Sequence, residues 1–216
     1  MVKLKYNKWE EMNVGTFKRL MEISSNKELD EVDTEIMLLA VLCDCDEEDI
    51  LNLPIPVYQE LRRESQWIAG KPETKAFCPK HIKLENQYDV MYDMSKLSTA
   101  QYIDFQSYLK LNDMNKYLSH ILAIFLIPKG KKYGDVPAEV IIKDIDDNMN
   151  MIMAESMCFF FITEFIVLMK ITLTCLEEKL KKQLKESKGT DRVKIMEKLG
   201  EIHSQINGLG CIMSNK

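Results

Sequence analysis

The sequence has few of the residues on which catalysis and cofactor binding usually depend. It contains three histidines, none beside a nucleophile motif such as Gly-x-Ser-x-Gly, and it has no Gly-x-x-x-x-Gly-Lys-Ser/Thr nucleotide cradle. Its formal net charge is -5, so no global positive charge attracts nucleic acid or an anionic membrane. We therefore expect a protein that is not an enzyme, needs no cofactor and does not bind nucleic acid.

The chain also lacks the signs of a secreted protein. Its first residues have no apolar core of the kind that a signal peptide requires. The six cysteines have irregular spacings, which are not those of a small disulfide framework. These features predict reduced thiols and an intracellular protein.

What the sequence does contain is enough apolar material for a sizeable core. Hydrophobic residues make up 46% of the chain and charged residues 29%, as in ordinary globular proteins. Helical spacing of apolar residues dominates, so we predict a mainly α fold. Changes of period and the positions of Gly and Pro divide the chain into an N-terminal helical region 1–70, a β-hairpin plus helices at 71–136 and a C-terminal helical hairpin at 137–216. Packing of all three as one domain is the alternative.

The middle region is the one place where the period changes from helix to strand. Side chains alternate over residues 77–84 and again over 88–94, and residues 85–87 between them can turn. We predict one small β-hairpin there. The apolar segment 118–127, which ends before Pro128, predicts a buried helix.

The last third has the clearest periodicity. Apolar residues repeat every seven positions at Ile152, Phe159, Ile166, Leu173 and Leu180, with Ile162, Met169 and Leu176 three positions further on. This spacing predicts an a/d seam along a long helix. A second helix from Thr190 carries a stripe of Ile195, Leu199, Ile202 and Ile206. Together they predict a C-terminal antiparallel helical hairpin.

The long helix is apolar beyond the reach of its shorter partner. Residues 156–176 contain only two formal charges, Glu164 and Lys170, but they lack aromatic belts and a basic flank, so we do not predict a membrane span. The excess apolar surface packs either on the rest of the chain or on another subunit. A homo-oligomer is therefore one of the two alternatives. Five large side chains of this helix are predicted to contact a partner if they are exposed in the monomer: Phe159, Phe161, Phe165, Met169 and Leu173.

Four residues form a candidate zinc set. Cys43 and Cys45 make a C-x-C pair, and Cys78 and His81 make a C-x-x-H pair, which together would supply four ligands for tetrahedral zinc. Neither pair lies in a glycine-bearing knuckle. Small buried thiols are the plainer interpretation.

Two other polar groups have plain interpretations beside functional ones. Asp144, Asp146 and Asp147 would supply carboxylates for magnesium, but they diverge around a helix, so we expect an ordinary helix surface. The loop 129–134 combines three lysines, two glycines and a tyrosine, which suit a phosphate contact or a solvated turn. We expect the turn.

Two segments share a pattern that carries a family resemblance. Residues 12–20 and 97–105 each have an apolar residue, a polar cap, a small residue and then an aromatic and an apolar residue at helical spacing. With Trp9 and residues 45–54 (CDEEDILNLP), the chain resembles small helical proteins of the structural gene blocks of tailed bacteriophages. The nearest are tail-assembly-chaperone-like or neck and tail components of crAss-like phages.

The resemblance covers roughly residues 1–130, and the C-terminal hairpin departs from it. It implies a helical, non-catalytic virion or assembly protein that contacts other phage structural proteins near the portal, neck or tail. Such a protein would occupy the host cytoplasm during assembly, and the virion if it is structural. The first alternative is a tail assembly chaperone that is absent from the finished particle. The second alternative is a zinc-binding or nucleic-acid-handling protein.

Overall fold

The structure is a computed structural model that describes residues 2–70, 72–111, 113–187 and 190–214, with side chains described except at 190, 192 and 206–214. It is 67% helical with one small sheet, which confirms the mainly α prediction. The chain divides into two compact units, residues 1–160 and residues 161–216. The expected divisions near residues 70 and 136 both lie inside the first unit.

The N-terminal part consists of short helices whose ends follow from local sequence. Asn13 caps the first helix by accepting the Thr16 backbone N–H at 2.8 Å, and Asp30 caps the second in the same way. Asp44 ends that second helix in the left-handed conformation, with φ 55°. The helices are α1 (Val14–Ser25), α2 (Glu31–Cys43), α3 (Glu47–Leu51) and α4 (Ile55–Glu64), with 3-10 turns at Trp9–Glu11 and Ser65–Ala69.

The predicted β-hairpin is present, but it belongs to a three-stranded antiparallel sheet. The strands are β1 (His81–Lys83), β2 (Gln87–Val90) and β3 (Leu126–Pro128), in the order β1-β2-β3. Ile82 pairs with Tyr88, and Val90 pairs with Leu126. The third strand was missed because its residues complete an apolar run that reads as helix. The free edge of β2 draws them into the sheet, and only tertiary structure supplies that edge.

Three more helices of the first unit pack in sequence on one another. They are α5 (Thr99–Lys110), α6 (Leu118–Phe125) and α7 (Ala138–Asn148), with a 3-10 turn at Met94–Lys96. Helix α5 packs on α6, and α6 packs on α7. Every residue of α6 except His120 is buried, and its Phe125 ring meets the Phe105 ring of α5 edge-on, with centroids 5.0 Å apart. The predicted buried helix is therefore confirmed up to Phe125.

Asp144 corrects the expectation of an ordinary helix surface. Its side chain is 4% exposed and accepts hydrogen bonds from the backbone N–H groups of Glu85 and Asn86 and from the Tyr88 hydroxyl, at 3.1, 3.1 and 2.6 Å. The amides of Asn86 and Asn148 add two more. Burial acts to raise the pKa of Asp144, but these donors prevail and hold it below its ordinary value. A carboxylate on α7 thus holds the β1–β2 turn.

The second unit contains most of the long helix α8 (Met151–Glu186) and all of α9 (Thr190–Ser214). Leu173 and Leu180 of α8 form a buried cluster with Ile202 of α9, against which Ile195 and Leu199 pack. Glu177 of α8 also lies 3.8 Å from His203 of α9, and only three residues separate the end of α8 from the start of α9. The two helices therefore run antiparallel, as in the predicted hairpin. The fourth predicted residue of the α9 stripe, at position 206, lies outside the described side chains.

Candidate functional site

The long helix α8 leaves much of its apolar stretch uncovered. Its most apolar window of 18 residues has a mean hydropathy of 2.0, and 28% of that window is buried. By length and composition alone the helix would suffice to cross a membrane, but core helices of soluble proteins pass the same criterion. A helix this apolar and this exposed calls for a covering surface.

The five side chains predicted to contact a partner are mostly covered by the chain itself. Phe161, Phe165 and Leu173 are 0%, 4% and 6% exposed, so the condition of exposure in the monomer fails for them. Phe159 and Met169 are half-buried. The size and clustering of these side chains favoured them in the sequence. Which side of an apolar helix faces solvent is decided instead by its packing against neighbours.

The exposed positions lie on another line of α8. Glu164, Val167, Ile171 and Cys175 follow at intervals of three, four and four, so they share one helical side, and all four are exposed. We call these residues the outer face of α8. Val167 and Ile171 are 45% and 57% exposed. Glu164, one of the two charges in residues 156–176, is the one sequence signal that marks this line, since Val167 and Ile171 are as apolar as the buried residues.

The heptad seam is also interrupted. Leu173 and Leu180 are buried as predicted, but Leu176, predicted on the same seam, is 43% exposed. The next residue, Glu177, makes the contacts to α9 and along α8 instead: its carboxylate lies 3.8 Å from the His203 Nδ1 and pairs with Lys181. The seam therefore uses one residue in each heptad over this stretch and leaves Leu176 to the surface.

The four candidate zinc ligands lie in different environments. Cys43 and Cys45 pack against a buried cluster of α2, α3 and α4 residues, and burial followed by the neighbouring Cys45 raises the pKa of Cys43 to about 11. Burial raises the pKa of Cys78 to about 11 as well. His81 is exposed on β1, with its Nδ1 2.8 Å from the Asp89 carboxylate. Within the described ranges, no group of three or more His, Cys, Asp or Glu side chains is placed to hold a metal ion.

A cavity of about 470 Å³ is the other candidate site, and it lies within residues 1–160. Its walls come from α5, α6, β3, α7 and the connection between β3 and α7. Most of the lining is aliphatic: Ala123, Ile124, Ile127, Pro128, Val136, Pro137, Ala138, Ile141 and Ile142. Its volume is in the usual range of small-ligand pockets, roughly 300–1,000 Å³.

Three ring-bearing residues line the same cavity. The His120 ring of α6 lies 5.4 Å from the Tyr108 ring of α5, centroid to centroid, and Tyr133 comes from the connection above them. The Nδ1 atom of His120 is buried and has no hydrogen-bond partner among the described residues. Burial, and then the charge of Lys18, lower the pKa of His120 from its ordinary value, so the ring is neutral at neutral pH.

The connection between β3 and α7, residues 129–136, forms one side of the cavity, and we call it the strap. Gly130 and Gly134 adopt φ of 76° and 87°, the left-handed region that glycine enters without a Cβ clash. Between them the Tyr133 hydroxyl donates to the Asp104 carboxylate of α5 at 2.6 Å. Residues 129–132 and 134 are exposed, in keeping with the expected solvated turn, and the Tyr133 hydroxyl fastens the loop to α5. Its role as a cavity wall was not foreseen.

Comparison with known proteins adds no relative to this picture. No protein-family model, no curated protein and no solved structure matches the chain.

Proposed function

We propose that the chain is a bacteriophage structural or assembly protein that binds other phage structural proteins, near the portal, neck or tail, through the outer face of α8. The observation that supports binding is the exposure of Val167 and Ile171 on the most apolar helix of the chain. Burying a fully exposed aliphatic side chain contributes about 1.5–3 kcal/mol. Val167 and Ile171 are already about half covered, so a partner that covers both gains roughly that amount from the pair. The phage setting comes from the sequence resemblance.

The geometry of this face fits a protein partner. Apolar residues four positions apart on an exposed helix side are the anchors of helix-in-groove recognition. The face carries one acidic residue, Glu164, and no basic one, so it does not suit a nucleic-acid backbone. Glu164 at one end supplies a polar rim that orients the partner.

The same face serves a tail assembly chaperone, which would cover an apolar client until the client is assembled. The two roles differ in whether the chain stays in the particle. Mass spectrometry of purified virions therefore separates them, since abundant peptides from the chain identify a virion component. Recovery of the chain with phage tail or neck proteins from infected cells, but not from virions, identifies the chaperone.

The test of the binding face uses a matched pair of variants in the full-length protein. Val167→Asp places a charge on the outer face, and Val193→Asp places the same charge at an exposed valine of α9, which is 58% exposed. We expect Val167→Asp to abolish co-purification of the portal, neck and tail proteins from infected cells, and Val193→Asp to retain it. Wild-type protein that recovers none of these proteins contradicts the proposal, as does equal loss in both variants.

A further inference from the structure

We propose that the cavity beneath the strap binds a neutral ligand that carries an aromatic ring, for which indole is the probe. This site is separate from the outer face of α8 and goes beyond the proposed function. The ring is carried either by a free small molecule or by a side chain of a partner protein, and the experiment below distinguishes the two.

The shape and lining of the cavity determine the size and polarity of the ligand. A volume of about 470 Å³ holds one ring system and its substituents, and it is too small for a folded element of a partner. Aliphatic side chains of α6 and α7, among them Ile124 and Ile141, form the greater part of the wall. An apolar ligand is therefore favoured by the removal of apolar area from water.

The ring-bearing side chains make the ligand aromatic rather than aliphatic. Tyr108, His120 and Tyr133 all contribute to the lining. Their edges and faces offer the edge-to-face and offset contacts that aromatic rings prefer, at centroid separations of about 4.5–7 Å. An aliphatic chain would gain the same burial but not these contacts.

The charges around the cavity make the ligand neutral. Burial raises the pKa of Tyr108 and of Tyr133 and lowers that of His120, so none of these three carries a charge at neutral pH. The Asp104 carboxylate already accepts the Tyr133 hydroxyl. Lys132 is the one cation in the lining and is exposed. A phosphate or carboxylate would thus lose its hydration without a buried counter-charge.

The experiment measures the binding of indole to the full-length protein. NMR spectra of the protein's isoleucine methyl groups report the binding. We expect saturable shifts at Ile124, Ile141 and Ile142, which line the cavity. Indole-3-acetate, the same ring with an anionic substituent, is expected to bind at least tenfold more weakly. Absence of saturable binding overturns the proposal, and equal binding of the anion overturns its claim of neutrality.

A matched pair of substitutions locates the site. Ala138 lines the cavity at the start of α7, whereas Ala100 lies at the start of α5 outside the lining, and both are exposed. Ala138→Phe fills the cavity mouth, so the Kd for indole should rise at least tenfold, and Ala100→Phe should leave it unchanged. If Ala138→Phe does not fold, Ser107→Phe on α5 blocks the cavity from its other side. Unchanged affinity in a folded blocking variant overturns the assignment.

The source of the ring follows from a second ligand. N-acetyl-tryptophanamide presents the indole as it stands in a peptide, with backbone amides on both sides. Tighter binding of this amide than of indole supports the proposal with a partner's side chain as the ligand. Tighter binding of free indole supports it with a small molecule. The variant Val167→Asp, on the outer face of α8, leaves both affinities unchanged, so this test and that of the proposed function fail separately.

Discussion

In residues 1–160, segments far apart in sequence are joined through buried polar groups. In residues 161–216, the described contact between the two helices is an apolar cluster. Asp144 on α7 fixes the β1–β2 turn nearly sixty positions earlier, and Lys18 on α1 reaches Asp146 at 2.9 Å. In the second unit, Leu173 and Leu180 meet Ile202, and the ion pairs of Glu177 are on the surface. Buried polar networks specify a unique arrangement, while a repeating seam tolerates change.

The largest effect should come from breaking the network of the first unit. Asp144→Ala leaves the N–H groups of Glu85 and Asn86 and the Tyr88 hydroxyl without their acceptor, so we expect a loss of roughly 3 kcal/mol or more in the free energy of unfolding. Urea denaturation measures it. Asp147→Ala, at an exposed position of the same helix, should change stability by less than about 0.5 kcal/mol. Equal effects would show that the network is not the source of stability.

The seam of the second unit should be less sensitive to loss of one side chain. Leu180 is 9% exposed, so Leu180→Ala creates a small cavity at the edge of the seam, and we expect a cost of about 2–3 kcal/mol. Hydrogen exchange of α9 amides should accelerate, because α9 depends on this contact. Leu176→Ala, at a position 43% exposed, is the control and should have little effect on that exchange.

A single hydroxyl tests how the charge of Asp144 is held. Tyr88→Phe removes the 2.6 Å hydrogen bond, at an expected cost of about 1.5–2 kcal/mol, and the pKa of Asp144 should move up toward its ordinary value. Because the folded pKa of Asp144 is depressed, its contribution to stability is present above the unfolded pKa of about 3.9 and is lost as pH falls through the folded value. Tyr88→Phe should therefore lose less stability on acidification, as carboxyl NMR titration and acid denaturation would show. An unshifted pKa contradicts this account.

The smallest expected effects have opposite signs in the two units. A Cβ at Gly15 of α1 would lie 3.0 Å from the Asp146 carbonyl oxygen of α7, so Gly15→Ala should destabilise the fold by about 1 kcal/mol. A Cβ at Gly200 of α9 would meet no atom of the described residues within 4 Å, so Gly200→Ala should stabilise that helix by about 0.5–1 kcal/mol. Thermal denaturation of both variants measures the signs. The same sign in both would remove the contrast between a close-packed and an open helix.

Part of the fold was predictable from local sequence, for reasons visible in particular residues. Asn13 and Asp30 cap their helices in the way their side chains allow, and Ser98 caps α5 by accepting from the Gln101 N–H at 3.2 Å. The alternation around Ile82 and Tyr88 indicated two paired strands. These elements depend on contacts within a few residues or on one strong period.

The candidate sites were harder to predict because neither is a local property. The sequence predicted Phe161 and Phe165 as interface residues, but both are buried within the chain. Val167 and Ile171, which were not predicted, are exposed. The cavity brings Asp104, His120 and Tyr133 together from three segments. No spacing in the sequence relates these residues, and neither burial nor the neighbours of a loop can be read from periodicity.

By itself, the sequence determined that the chain is mainly helical, where most helices begin, and that it ends in a hairpin of helices. Caps, prolines and apolar periods act over one or two turns, so they need no tertiary context. Only the tertiary structure decided that Leu126–Pro128 joins the sheet, that Asp144 is buried, and which side of α8 meets solvent. Those outcomes depend on contacts between residues distant in sequence. These contacts contribute free energy only after the chain has packed.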